Sequence, residues 1–363
     1  MTGAASPGRP AARRRVAVLG ATGAVGQAFV RLLARHPWFE LAEVTASDRS
    51  AGRPYLEAAR WIGDAPPDVV RDMRILPTDP SVVSSEIVFS ALDAGVAADA
   101  EAAFARAGKL VLSNAKSYRM DDDVPLVIPE INPGHLALLE VQRTRRGWTG
   151  AGGIVTNPNC AAIVAAMALA PLHERFGVRQ VFLATMQAVS GAGYPGVPSL
   201  DILGNVIPFI ADEEPKIERE AGKILGRLDG GRVIPAALAV SAHANRVPVE
   251  HGHTICMSIA FDRRPTVEDA VHALSEWRGA EEARDLPSAP DRPLRVSCEP
   301  DRPQPRRDVW AEGGMQVTIG RVREDPVLHL RLVAMGHNIV RGAAGASVLN
   351  AELLVARGAP RAS

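Results

Sequence analysis

The sequence predicts an α/β chain: an N-terminal doubly wound parallel sheet, followed by an α+β domain. Three observations predict it. Glycines at 20, 23 and 26 follow a short apolar run and open a helical period. Apolar strands and helices alternate up to about residue 155, the pattern of a parallel sheet with helices on both faces. From Gln180 onward, strands rich in Val, Ile and Leu are separated by polar loops, with two helices among them. The 363 residues also exceed the ~250 at which single cores usually stop growing.

In order, Arg15 to Leu19 is the first strand, and Val25, Phe29, Leu32 and Leu33 mark one face of the helix after it. His36-Pro37 stops that helix, and Leu41 to Ala46 returns as a strand, completing a β-α-β unit. Ile87 to Leu92 and Leu110 to Ser113 flank the alanine-rich helix Ala97 to Ala107. Gly150 to Val155 leads through Thr156-Asn157-Pro158-Asn159 into Cys160 and a long Ala/Leu/Met helix ending near Phe176. The later strands are expected at Val181 to Met186, Val247 to Val249, Thr254 to Phe261, Gln316 to Val322 and Leu328 to Ala334. Helices are expected at Pro215 to Leu228 and Val267 to Trp277, and a long loop over the Pro- and Arg-dense stretch Asp285 to Arg307. A last helix, Val340 to Ala356, is expected to return to the first domain. The division is thus a disordered tail at 1–12, a nucleotide domain at 13–155 joined by the helix at 339–358, and a catalytic and dimerisation domain at 156–338.

Composition excludes several classes. Acidic and basic residues balance at 41 each, which leaves no global field for nucleic acid or an anionic membrane. No apolar run reaches the ~18 residues that span a bilayer. Met1 to Arg15 lacks the apolar stretch of a secretory signal. Three widely spaced cysteines argue against a disulfide framework and fit a reducing cytoplasm.

The segment Gly20-Ala21-Thr22-Gly23-Ala24-Val25-Gly26 is a variant of the glycine fingerprint of Rossmann-type dinucleotide sites. Without side chains the backbone turns sharply and lets a pyrophosphate reach the helix N-terminus. The second strand ends in Ser47-Asp48-Arg49-Ser50. An acidic residue there suits the ribose hydroxyl of NAD, whereas a cation with hydroxyls suits the 2′-phosphate of NADP. Ser47, Arg49 and Ser50 favour NADP(H).

Cys160 stands at a helix N-terminus, with Asn157 or Asn159 as the expected cap. Unpaired amides and the macrodipole there are expected to lower its thiol pKa and make it a nucleophile. Cys256 lies in an apolar strand and is expected to be core; Cys298 has no reactive setting. His251-Gly252-His253 supplies two imidazoles, either of which could serve Cys160 as acid/base. No third ligand stands near them, so no metal site is expected. Arg246 offers a fork for a carboxylate, and Arg119 and Lys216 are further cations in a chain with four lysines.

These residues resemble those of aspartate-semialdehyde dehydrogenase, in its archaeal and fungal branch. The matching segments are Gly20 to Gly26, Ser113-Asn-Ala-Lys-Ser-Tyr-Arg119 with Val124 to Glu130, and Thr156-Asn-Pro-Asn-Cys160. Thr185-Met-Gln-Ala-Val-Ser-Gly-Ala-Gly-Tyr-Pro-Gly196, Arg246-Val-Pro-Val-Glu-His-Gly-His253 and Gly336-His-Asn-Ile-Val-Arg-Gly342 complete the set. They are collinear from Arg15 to about Gly358. The resemblance implies Cys160 as nucleophile, His253 rather than His251 as acid/base, and Gln187 as a glutamine orienting the substrate. It implies Arg246 for the substrate α-carboxylate, Glu213 near its amino group, and Arg119 with Lys216 for phosphate, with Asn114 on the same side. Ser190, Gly191 and Asn338 fall on the nicotinamide side. The implied reaction is attack of Cys160 on L-4-aspartyl phosphate, loss of phosphate, hydride from NADPH, and release of L-aspartate 4-semialdehyde, in the pathway to lysine, threonine and methionine. The family's typical assembly is a homodimer or homotetramer.

The chain departs from the family at Asp93-Ala94-Gly95, where Pro-Ser-Asp is commoner, and at Pro215, where a longer side chain is. Neither change removes a catalytic group. The rival readings are an acyl-CoA reductase of the malonyl-CoA or succinyl-CoA type, the more distant N-acetylglutamyl-phosphate reductase, and a non-catalytic dinucleotide-binding regulator. Arg119 and Lys216 together favour the phosphate substrate.

Overall fold

In the computed structural model, residues 12–358 are described. The tail expected at 1–12 therefore lies, but for its last residue, outside the described residues. The first half contains β1 (Arg14–Leu19), α1 (Ala24–Leu33), β2 (Phe39–Ala46), β3 (Leu76–Pro77), β4 (Ile87–Ser90), α2 (Ala94–Arg106), β5 (Leu110–Ser113), α3 (Leu138–Arg146) and β6 (Gly153–Thr156). The strands form one sheet in the order β3-β2-β1-β4-β5-β6, with every pairing parallel. Alternation along the strands fills two separate cores. Val16, Val18, Ile87, Phe89, Leu110 and Leu112 pack on one face with Phe29 of α1. Ala17, Leu19, Val88, Val111 and Ile154 pack on the other with Phe104 of α2.

The second half begins with α4 (Cys160–Phe176), a helix apolar almost all round and buried along most of its length. After it come β7 (Val178–Gln187), α5 (Glu213–Ile224), the hairpin β8 (Arg227–Asp229) and β9 (Arg232–Ile234), β10 (Ala239–Arg246), β11 (His253–Phe261), α6 (Val267–Glu276), β12 (Leu294–Ser297), β13 (Val317–Glu324) and β14 (Leu330–Gly336). Its mixed sheet runs β10-β7-β11-β14-β13-β12. One face buries Leu183, Ile255, Met257, Ile259, Ile319 and Leu332 against α4, α5 and α6. The other face is bare in a single chain, with Phe182 47% exposed.

Several sequence expectations are corrected here. Cys256 is exposed: the strand register that turns Ile255 and Met257 inward turns Cys256 to the open face. Val247 to Val249 leaves the sheet, and the strand is Ala239–Arg246 instead; Pro248 has no N–H to give a ladder. The stretch Asp285 to Arg307 is not all loop, because Leu294–Ser297 pairs in parallel with β13 at the sheet edge. The helix expected to reach Leu228 ends at Ile224, and Arg227–Asp229 turns into a hairpin.

The chain then returns to the first sheet as expected. A π turn, Val340–Ala344, leads into α7 (Gly345–Ala356), whose Val348, Leu349 and Leu353 join the core of Val16 and Phe29. Arg341, fully buried, is held by both oxygens of Glu130 at 2.6 and 2.9 Å. This fork bonds the returning segment to the loop between β5 and α3. Among the described residues, no helix is long and apolar enough to cross a membrane.

Candidate active site

The carboxyl ends of β1, β2, β4 and β5 open on one edge of the first sheet, and the turn after β1 is the tightest of them. Gly20 has φ +71°, and a Cβ at Gly26 would sit 2.3 Å from the Gly20 carbonyl oxygen. Only glycine lets the strand end and the helix start approach so closely. Helix α1 opens at Gly23 with no side-chain cap, so the first amides, at Ala24 and Val25 beside Thr22, keep no internal acceptor. The donor set fits a pyrophosphate. Ser47 and Arg49 are exposed and Ser50 half-buried on the turn after the neighbouring β2, with Ser50 N–H donating to the Ser47 carbonyl at 2.8 Å.

Cys160 is the first residue of α4, and Asn159 is the cap: its Oδ1 accepts from the N–H groups of Ala161 and Ala162 at 2.9 and 3.1 Å. Asn157 instead donates to Asn114 and to the Ala343 carbonyl. The thiol sits 3.2 Å from Nε2 of His253, the first residue of β11, 93 positions away in sequence. His251 turns elsewhere, to the Ser190 hydroxyl at 2.9 Å, and stacks on His337. The structure thus separates the two imidazoles that the residue pattern alone left undivided.

The expected lowering of the thiol pKa is overturned. Burial pushes the Cys160 thiol up to about 12, and the Glu213 carboxylate adds to it; the charges of Arg119 and Arg246 and the Ala161 amide pull the other way. The helix end is present, but Asn159 already uses two of its amides. Burial, then Arg246 and His337, push His253 down to about 3. In each, loss of solvation disfavours the charged form. The N–H of Ala188 donates to His253 Nδ1 at 3.1 Å, so the neutral ring carries its proton on Nε2 and presents it to the sulfur.

Around this pair the expected substrate residues converge. Arg246, at the end of β10, is buried and donates to the Ala188 carbonyl at 2.8 Å. A Cβ on Gly191 would meet its Nη1 at 2.9 Å and the His253 ring at 3.1 Å, so a bare backbone is needed there. Glu213 is buried at the start of α5; its Oε1 accepts from Asn159 Nδ2 at 2.9 Å and Gln187 Nε2 at 3.0 Å. Lys216 lies 3.5 Å from the other oxygen. Asn338 Nδ2 donates to the Ser190 hydroxyl at 2.8 Å, and its Oδ1 receives the Gly252 N–H.

Arg119 and Lys216 line one cleft of about 250 Å³ with Lys116 and Arg219. Arg119 donates to Glu220 at 3.0 Å and to the Asn114 carbonyl at 2.7 Å. The Asn114 side chain is engaged with Ser90, Asn157 and Ser347 rather than with the thiol cluster. Sequence reasoning missed Glu220, which also takes the Asn159 N–H at 2.5 Å and so joins the arginine to the turn before Cys160. It missed Lys223 too, buried and bonded at 2.8 Å to the carbonyls of Arg119, Asp121 and Val124, its ammonium pushed down to about 8 by burial. A signal was available: Glu213, Glu220 and Lys223 put charges on the buried face of α5. Such a stripe is costly unless it is paired.

Two family models match the chain: a semialdehyde dehydrogenase NAD binding domain over residues 15–139 and a semialdehyde dehydrogenase dimerisation domain over 169–341. The chain is 51% identical to the aspartate-semialdehyde dehydrogenase of Archaeoglobus fulgidus, over 94% of this chain and 98% of that protein. It is 52% identical to the enzyme of the same name from Methanothermobacter thermautotrophicus, over 93% and 98%. Among solved structures, that of aspartate semialdehyde dehydrogenase with NADP from Candida albicans superposes with a TM-score of 0.88 at 41% identity, covering 96% of this chain and all of that one. Aspartate semialdehyde dehydrogenase II from Vibrio cholerae, complexed with ASA, gives 0.75 at 26% identity, over 95% and 99%.

Proposed function

The chain belongs to the aspartate-semialdehyde dehydrogenase family, and from that membership we propose the roles of its site residues. It is an NADP-dependent oxidoreductase of amino-acid biosynthesis, acting between L-4-aspartyl phosphate and L-aspartate 4-semialdehyde. The single observation that carries the assignment of roles is the 3.2 Å approach of Cys160 Sγ to His253 Nε2, walled by Arg246 and Glu213.

Cys160 attacks the β-carbonyl carbon of the acyl phosphate: the C–S bond forms as the thiol proton passes to the departing phosphate oxygen, the bond to that oxygen breaks, and phosphate leaves into the cleft of Arg119 and Lys216. Their positive charge stabilises the leaving group. NADPH, when bound, supplies the hydride that reduces the thioester on Cys160. The His253 Nε2–H supplies the hydrogen bond, and the proton where one is needed, to the charge that develops on oxygen and sulfur. The C–S bond then breaks to release the aldehyde. Splitting one substitution into two steps is what a nucleophilic cysteine contributes.

The Arg246 fork grips the α-carboxylate, and Glu213, oriented by Gln187 and Asn159, takes the amino group. The turn Gly20, Thr22, Gly23, Ala24, Val25 and Gly26 holds the pyrophosphate; Ser47, Arg49 and Ser50 hold the 2′-phosphate; Ser190, Gly191 and Asn338 line the nicotinamide side. The domain division is that of residues 13–155 with 339–358 against 156–338. A homodimer or homotetramer forms through the bare face of the second sheet, a reading supported by the dimerisation-domain match over 169–341 and by the half-exposed Phe182. A reducing cytoplasm keeps Cys160 a free thiol.

The test is a steady-state assay of semialdehyde oxidation with phosphate or coenzyme A as acceptor and NADP or NAD as oxidant. Phosphate and NADP should support the fastest turnover. Turnover that depends on coenzyme A and ignores phosphate would sink the phosphate assignment and favour the acyl-CoA reductase.

A further inference from the structure

Away from the thiol, a carboxyl group lies sealed at the edge of the first sheet. Glu101, on α2, is fully buried. Its Oε1 accepts the Ser90 hydroxyl at 2.6 Å and the Ser113 hydroxyl at 2.8 Å. Those serines are the last residues of β4 and β5 and stand opposite each other in the parallel ladder. Oε2 is buried with no partner. Burial pushes this carboxyl up, against the two hydroxyls and Arg119. A group kept at such cost is there for its geometry or its chemistry.

The two serines open two different arms of the site. Beyond Ser90, the Ala91 carbonyl packs on the cofactor turn, where a Cβ at Gly20 would come within 2.6 Å of it. Beyond Ser113 runs the loop of Arg119: the Ala115 N–H donates to the Ser113 hydroxyl at 3.1 Å, and Arg119 donates to the Asn114 carbonyl. The arms are tied at their roots, since Asn114 N–H donates to the Ser90 carbonyl at 3.1 Å. One acceptor oxygen therefore adds a side-chain bridge, beyond the backbone ladder, between the wall of the glycine turn and the loop that carries Arg119.

We propose that Glu101 is a positioning residue for the reaction, holding the cofactor wall and the Arg119 loop in mutual register through the Ser90 and Ser113 hydroxyls. The proposal rests on Arg119 being the phosphate ligand. An apolar residue at 101 would fill the space but leave two buried hydroxyls without an acceptor, and the strand ends would shift to satisfy them.

Four variants of the full-length enzyme test it, assayed in the oxidative direction against phosphate and NADP separately. Ser113→Ala cuts only the arm to the anion loop and should raise the KM for phosphate about tenfold, with the KM for NADP held. Ser90→Ala should do the reverse. Glu101→Leu should raise both, and Glu101→Gln, which keeps an accepting oxygen in place, should recover most of the loss. A role in stability alone predicts lower melting temperatures without that split, and finding them would overturn the proposal. If Glu101→Leu does not fold, the two serine variants decide. Arg119→Ala separates the premise from the proposal. An unchanged phosphate KM in that variant sinks the premise; a raised one beside a silent Ser113→Ala sinks only the role of Glu101.

Discussion

The glycine turn after β1 and the thiol site are built in opposite ways. The turn is local: Gly20, Gly23 and Gly26 lie within one strand–turn–helix, and their contribution is the side chain they lack. The thiol site is assembled from afar: Cys160 opens α4, Arg246 ends β10, His253 opens β11, Glu213 opens α5, and Arg119 comes from the first half of the chain. A local site depends on backbone conformation, so it tolerates little added volume. An assembled site depends on several elements keeping register, so it is sensitive to partners that never touch the substrate. The difference teaches that the two halves should fail separately.

The largest expected effect is at the sulfur. Cys160→Ser should lower turnover at least about a thousandfold while the dissociation constant for NADP, measured by fluorescence titration, stays put. Appreciable residual activity would remove Cys160 from the reaction. Next, Arg246→Lys should raise the KM for the semialdehyde by roughly ten- to a hundredfold, because an ammonium cannot reproduce a two-pronged fork. An unchanged value would dissociate Arg246 from the carboxylate.

On the other side, Gly26→Ala drives a methyl group into the Gly20 carbonyl. It should cost about 1–3 kcal/mol of stability and weaken NADP, yet leave the alkylation rate of Cys160 in the free enzyme unchanged. Loss of that reactivity too would show that the two halves are one cooperative unit.

The smallest effect concerns the resting proton. Since burial raises the thiol and lowers the imidazole, the thiolate fraction keeps growing as pH rises beyond the ~8.5 of an ordinary cysteine. Iodoacetamide labelling of the free enzyme should therefore still be accelerating above that pH. A plateau reached in the acid range would mean a preformed thiolate–imidazolium pair. That outcome would restore the view of the helix end as the dominant influence on the sulfur.

Legibility followed the same line between local and assembled. The strand–turn–helix at Gly20, the asparagine-capped helix start at Cys160 and the returning C-terminal helix were readable because period and capping act within a few residues. Edge strand Leu294–Ser297 was not, because four residues among prolines become a strand only when β13 offers its free edge. Cys256 was misread because an apolar strand does not announce which of its faces is covered. Glu101 and Glu220 were invisible as site residues: their partners, Ser90, Ser113, Arg119 and Asn159, are brought to them by sheet order and helix packing.

The sequence by itself determined the glycine turn, that an asparagine caps the helix at Cys160, and the succession of the two sheets, since backbone sterics, short-range hydrogen bonds and apolar periodicity dictate these. Only the tertiary structure decided which way the sulfur's proton affinity is shifted. Proton affinity depends on the solvent removed and on the charges that long-range packing brings near, and neither is written in neighbouring residues.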